Sequence, residues 1–369
     1  MHEFVSVKIV KIRFVPVHKR AFAFKNVTTG VPEIDDRGEQ LFKYSLYITE
    51  GFIIAIVNGL IVGTVVKSPV LRRKKEYMIV GGLALADVWN AMGYFTAGCY
   101  RSYLIFNKLD KIKVTAWDCM LTVHNFFFIV GEPLSSIFLT AVSLDRLIAV
   151  TVPLKYFKFT RSYGLWLSAA FYAYAIASAF LGVMLSYLSR PERKYNQICF
   201  TSWAVDHKIY QAYYFFLRTV GAALSVVLYV FVVVIFKLRG KKTSGSQSNT
   251  RQQQQEQAQW RLMKTLGISS IFTFLFAVLP NTLMTFFADA LTDEEWSALA
   301  PYTLSVANLN PLANIFLYTF RHKDVRKGML ALILCKEASH VDMTGAPSNS
   351  QAVTSKKPDT AVKSQKAWT

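Results

Sequence analysis

Acidic residues are scarce in this chain: 23 Asp and Glu stand against 42 Lys and Arg, a formal net charge of +19. A basic excess of this size often marks a nucleic-acid binder. Here the cations lie between long apolar blocks rather than in one patch, which points to a membrane surface and not to nucleic acid. Cysteine is sparse as well. Cys99, Cys119, Cys199 and Cys335 are the four, with no CxxC pair and no zinc spacing among them. There is no P-loop, no nucleophile elbow and no metal-binding cluster, so no catalytic site is expected. Residues 1–17 alternate apolar and basic residues and lack the uninterrupted apolar stretch and small-residue cleavage site of a signal peptide. The first membrane helix would then act as the targeting signal. No internal repeat is visible.

What is present is apolar surface: 53% of the residues are hydrophobic, 14% are aromatic and the mean hydropathy is +0.28. Totals of this kind are close to those of soluble domains; the distribution decides. Seven blocks stand out, at about 45–67, 78–100, 119–149, 164–187, 209–237, 262–288 and 298–320. Each is about long enough to cross a ~30 Å hydrocarbon core, and in lipid such a segment must satisfy its own backbone hydrogen bonds, as a helix does. The expected fold is all-α, a bundle of seven transmembrane helices. Lys67, Arg72, Arg73, Lys74 and Lys75 fall in the first inner loop and Arg146, Lys155, Lys158 and Arg161 around the second. The third inner loop and the tail are richer still, whereas the three outer loops hold about a third as many cations in all. This bias puts the N-terminus outside and the C-terminus in the cytoplasm, in a multi-pass plasma-membrane protein. The sequon at Asn26 agrees, as an outer glycosylation site. The expected organisation is an extracellular segment 1–44, a bundle 45–320, an amphipathic membrane-surface helix 321–335 and a disordered cytoplasmic tail 336–369.

The end of the third block reads Leu144-Asp145-Arg146-Leu147, with Pro153 and Tyr156 beyond it. This resembles the Asp-Arg-Tyr motif of rhodopsin-like (class A) G-protein-coupled receptors, with Leu147 in place of the usual Tyr. The likeness covers about 45–335. Leu83-Ala84-Leu85-Ala86-Asp87 matches the family's second-helix motif and Asn58 its first-helix Asn; Ser135 falls at the matching third-helix position. The seventh-helix motif is altered: Asn310-Pro311-Leu312-Ala313-Asn314-Ile315-Phe316-Leu317-Tyr318 offers two registers. The one that takes Asn314 with Tyr318 keeps Phe320, Arg321 and Val325-Arg326 at family spacing, with Pro311 one turn early and Ile315 in place of the family's Pro. The resemblance implies a polar core of Asn58, Asp87, Ser135, Asn310 and Asn314 around a sodium ion or a water cluster; no other cofactor is expected. It also implies an activation switch of Asp145, Arg146, Pro153, Tyr156, Tyr229, Phe274, Pro280, Asn314 and Tyr318. Val278 stands where many members carry Trp, and Trp260 where some carry the Glu of an ionic lock. The missing Trp, the displaced Pro and the many Phe and Tyr look more like divergent nematode serpentine chemoreceptors than amine receptors or opsins.

The resemblance further implies a Cys119–Cys199 disulfide on the outer face and a palmitoylation candidate at Cys335. Phe128 stands where amine receptors carry Asp and Asn308 where opsins carry the retinal Lys, so neither ligand route is expected. His124, Asn125, Phe128, Glu132, Arg218 and Asn308 are the ligand-pocket candidates. Glu132 and Arg218 either pair across the cavity or bind a charged or polar ligand. The function expected is a receptor that binds an extracellular small molecule or peptide and opens its cytoplasmic face to a heterotrimeric G protein. A seven-helix transporter or ligand-gated channel, and a signalling-inactive scaffold, are the alternatives.

Overall fold

The computed structural model describes residues 36–188, 193–205, 207–243, 267–287, 293–321 and 323–334. For positions 36, 157, 239–243, 284–287, 293–294, 296–298, 314–321 and 323–324 the description is of backbone alone. The chain is an all-α bundle of seven membrane helices: α1 (Asp36–Lys67), α2 (Lys75–Phe106), α3 (Val123–Thr151), α4 (Arg161–Leu188), α5 (Lys208–Thr243), α6 (residues 267–287) and α7 (Asp293–Arg321). A shorter α8 (Lys323–Ile333) comes next. Among the described residues, α1 to α5 are each long and apolar enough to cross a membrane unaided.

The helix ends obey local chemistry. Ser68 before Pro69 leaves the helical region (φ −82°, ψ 112°) and caps the single turn Pro69–Arg72 through its side chain, ending α1. Val152 before Pro153 likewise leaves the helical region (φ −132°, ψ 63°) and ends α3, without a side-chain cap. Two boundaries differ from the hydrophobic blocks. α1 starts at Asp36, inside the segment assigned to the N-terminal region, and Lys43 bonds Glu39 one turn away at 2.8 Å. Cys119 lies not on α3 but on a separate turn, Ala116–Met120, held by a capping box between Thr115 and Asp118; α3 begins only at Val123. The polar caps interrupt a run that is apolar enough to read as one helix.

α3 is the axis of the bundle. Of its most apolar stretch 67% is buried inside the protein, against 17% for α4 and 22% for α5. α2, α4 and α5 all pack on it, around Leu134, Phe138 and Val142. The faces of α4 and α5 turned outward carry Phe180, Leu181, Met184, Val230, Phe231 and Val234, an apolar surface suited to lipid. In α6 the turn Thr273–Val278 is a π-helix lying just before Pro280. Proline lacks an N–H and crowds the carbonyl four residues back, so the turn widens. The Asn281 and Thr282 side chains donate to the Ala277 and Val278 carbonyls at 2.7 Å each and help satisfy the loosened backbone. α8 lies against the end of α1, with Val325 and Met329 buried beside Ile61.

α1 and α2 approach closely through glycine. A methyl group at Gly51 would lie 2.6 Å from the Phe95 nitrogen and 2.7 Å from the Ala91 oxygen, whereas one at Gly59 would meet nothing within 4 Å. Gly51→Ala is therefore expected to cost about 1–3 kcal/mol and to lower surface expression. Gly59→Ala is expected to leave both near wild type. Thermal unfolding of the two purified variants checks the pair.

Candidate functional site

At one end of the bundle a disulfide joins Cys119 to Cys199 across 80 residues, with Cα atoms 4.9 Å apart. The connection between α4 and α5 is thus tied to the foot of α3, and it pairs Tyr195–Asn196 antiparallel with Lys113–Val114. Cys199 takes a left-handed backbone (φ 51°), and its carbonyl meets three donors: Asn125 Nδ2 at 3.1 Å, His124 Nε2 at 3.1 Å and Arg101 Nη2 at 3.2 Å. Asn125 also donates to the Cys119 carbonyl at 2.9 Å and accepts from Thr201. His124 and Asn125, expected at a pocket rim, are fully buried and act here as a latch that holds this loop on α3.

One and two turns below, the charged pair assembles. Arg218 Nη1 lies 2.9 Å from Glu132 Oε2; the Tyr214 hydroxyl donates to the same oxygen at 2.5 Å, and Arg218 Nη2 donates to Asn281 Oδ1. The cluster links α3, α5 and the turn after Pro280 in α6. Phe128 packs edge-on against Tyr94, with ring centres 4.8 Å apart, and Asn308 on α7 donates to Glu50 on α1 at 3.1 Å. Five of the six pocket candidates therefore bond across helices or to the latched loop, and Phe128 walls the same layer with its ring.

In the middle layer Ser135 donates to Asp87 at 3.0 Å. Thr273 donates to Asn310 at 3.0 Å, which ties the π-turn of α6 to α7. Asn58 is buried, its amide donating to the Ile54 carbonyl on its own helix at 3.1 Å. Below lies a small cavity of about 20 Å³ whose hydroxyls come from Ser143, Ser225, Tyr229, Ser269, Ser270 and Thr273. Phe274 is 46% exposed on the outward side of the π-turn and Pro280 is half-buried beside it. The extra residue of the wide turn rotates Phe274 away from the core.

At the opposite end Arg146 Nη2 pairs with Asp145 at 3.2 Å, and the Tyr156 hydroxyl donates to the same carboxylate oxygen at 3.0 Å. Burial pushes the Tyr156 hydroxyl above the ordinary phenol range, so it stays a donor across physiological pH. Lys75, at the start of α2, donates to the Tyr156 and Phe159 carbonyls and lies over the Tyr156 ring at 3.5 Å. Pro153 opens the turn that carries Tyr156 back to Asp145. Asn314 and Tyr318 lie on α7 with side chains outside the description; Asn26 and Cys335 fall outside the described residues.

Four participants escaped the sequence reading. Glu50 sits in mid-block, where an acid in lipid is costly. Tyr214 precedes Arg218 by about one turn. Lys75 is the last of a run of loop cations, Arg72 to Lys75, with nothing in the run to set it apart. Arg101 falls just beyond the second apolar block, which ends at about 100, and so among the loop residues. α2 continues to Phe106, and Arg101 falls about four turns from Asp87, on the same face.

The model of the 7 transmembrane receptor (rhodopsin family) matches residues 57–318. The chain belongs to that family. Its members are receptors, not enzymes. Relatives include the RYamide receptor of Drosophila melanogaster, 23% identical over 313 residues (80% of this chain and 63% of that one). An olfactory receptor of Homo sapiens is 28% identical over 116 residues (31% and 34%). Cannabinoid receptor 1 of Taricha granulosa is 23% identical over 215 residues (58% and 42%). The match thus spans less than two thirds of each relative's length.

In this receptor the Glu132–Arg218 pair is buried on both sides, at 8% and 15% side-chain exposure. Removing one partner leaves an uncompensated charge. Arg218→Met is expected to destabilise the receptor by about 3–5 kcal/mol, and Glu132→Gln on top of it to recover more than half. A double-mutant cycle on thermal unfolding reads this; additive losses would mean that the pair is not coupled.

Proposed function

We propose that this rhodopsin-family receptor binds a small-molecule or peptide ligand beneath the disulfide-tied loop and activates a heterotrimeric G protein at the opposite end. The observation that carries the reading is the closed contact of Arg146, Asp145 and Tyr156. It consists of one short ion pair and one hydrogen bond on a single carboxylate, so it can be exchanged for contacts with a partner at small cost. A second carboxylate oxygen of Asp145 and the Arg146 Nε are buried without hydrogen bonds, which leaves both groups capacity for another partner. The disulfide needs an oxidising compartment, which supports placing that end outside, with the N-terminus, and the Arg146 end in the cytoplasm. Likeness to a protein named for RYamide favours a peptide ligand.

Ligand binding and the switch are joined by side chains already in contact. Arg218, paired with Glu132, donates to Asn281 next to Pro280, and the π-turn before that proline bonds to Asn310. A ligand that draws Arg218 away frees α6 to pivot at its widest turn. The small Tyr229-lined cavity below would have to widen, as the cytoplasmic ends part, to give Arg146 space to turn.

Asp87 is buried with Ser135 as its partner and carries no cation within ion-pair distance among the described residues. That environment fits a sodium ion, held by the Asp87 carboxylate and the Ser135 hydroxyl together with the Asn310 amide. The ion would neutralise Asp87 and favour the closed bundle. A signalling-inactive scaffold is the second reading, favoured by Ile315 in place of the seventh-helix proline.

Tyr156→Phe removes one of the two bonds on Asp145 and is expected to raise basal nucleotide exchange about five- to tenfold in reconstituted receptor with a panel of G proteins. Adding Arg146→Ala should return exchange to background. Flat exchange throughout the panel would favour the inactive scaffold. Sodium chloride, compared with potassium chloride at equal ionic strength, is expected to raise the unfolding midpoint of wild type by about 2–4 °C. Asp87→Asn should abolish that difference.

A further inference from the structure

Arg101 is the largest of the fully buried side chains among the described residues, at 1% exposure, and no carboxylate of those residues lies within ion-pair distance of it. Its Nε donates to the Ile198 carbonyl at 3.0 Å and its Nη2 to the Cys199 carbonyl at 3.2 Å. The second of these bonds is shared: Cys199 also receives His124 and Asn125, three donors on an oxygen with two lone pairs. Nη1 is buried without an acceptor. The rings of Phe200, Tyr44 and Tyr47, centred 4.7, 5.6 and 6.0 Å from the guanidinium carbon, attract the cation but accept little hydrogen bonding. A buried cation left with spare donors and no counter-ion is costly. The end of a guanidinium formed by Nη1 and Nη2 has the fork geometry of a carboxylate.

We propose that Arg101 anchors a carboxylate of the receptor's ligand, whose apolar body sits among Tyr44, Tyr47, Tyr94 and Phe128. The inference rests on the receptor reading above and adds the ligand's chemical class. These four residues form one apolar cluster between α1, α2 and α3, one side of which is Arg101. The charge count favours a monoanion: Lys43 is already paired with Glu39, and Glu50 on the same helix as Tyr47 repels further negative charge. On binding, the carboxylate takes the Nη1–Nη2 end, and the Cys199 carbonyl is left to His124 and Asn125. The same anchor accepts a small aromatic acid or the free C-terminus of a peptide.

The test uses full-length receptor in lipid nanodiscs. Its thermal unfolding is tracked while four probes are titrated to saturation: 4-phenylbutyrate, 4-phenylbutyramide, and a Leu-Phe-Phe tripeptide with a free or an amidated C-terminus. At least one free acid is expected to raise the midpoint by about 2–4 °C, with its amide giving no shift. Which acid does so identifies the source of the carboxylate. Arg101→Gln should lose the shift and Arg101→Lys should retain part of it. Acids no better than amides on wild type would overturn the proposal, as would a full shift in folded Arg101→Gln. If Arg101→Gln does not fold, the acid–amide contrast on wild type decides alone. Either failure leaves the receptor reading intact, because that reading is judged by nucleotide exchange.

Discussion

A hydrocarbon core offers no water to a polar group, and this bundle is arranged around that constraint. Many of its polar side chains are stacked along α3 and the faces turned toward it. His124 and Asn125 hold the disulfide-tied loop, Glu132 meets Arg218, Ser135 meets Asp87, and Asp145 meets Arg146 and Tyr156. Each contact satisfies a group that would otherwise cost several kcal/mol in lipid, and all but the Asp145–Arg146 pair, which lies within α3, cross between elements. What makes the fold possible also makes its parts responsive to one another, since a change of partner in one layer alters what the adjoining helix must satisfy.

The layers differ in how firmly they are closed. Around Cys199 a covalent bond and three donors fix the loop. At the far end one ion pair holds Arg146 to Asp145, whose same oxygen accepts one hydroxyl from Tyr156. Between them α6 carries its widest turn, immediately before a proline, bonded on one side to the Arg218 cluster and on the other to α7. A rigid mouth, a compliant middle and a lightly held base suit a population shift between two packings better than a static scaffold.

Much of this was legible in the residues. Seven apolar blocks gave the bundle because lipid imposes a minimum length, and Asp145, Arg146, Pro153 and Tyr156 sit together because their spacing places a proline-started turn below the helix. The bond between Asp87 and Ser135 comes from third- and second-helix register. Less legible were contacts that depend on where a helix stops. Arg101 looked like a loop cation until α2 proved to run to Phe106, and Cys119 looked like part of α3 until the Thr115–Asp118 cap set it on its own turn. Phe274 could not be oriented from spacing alone, because a π-turn inserts a residue that a 3.6-residue period does not count. Asn58 illustrates a further limit: an amide inside an apolar helix can satisfy itself on the carbonyl four residues back, so its type does not reveal its partner.

The central claim is that the Arg146 end opens by movement of α6 away from α3. Spin labels at Leu154, 82% exposed beyond the end of α3, and at Ile268, 37% exposed at the start of α6, report that gap directly by pulsed electron resonance. Binding of a nucleotide-free heterotrimeric G protein should lengthen the distance by about 5 Å or more, the scale of a one-turn displacement. A distance that stays the same with the G protein bound would contradict the account.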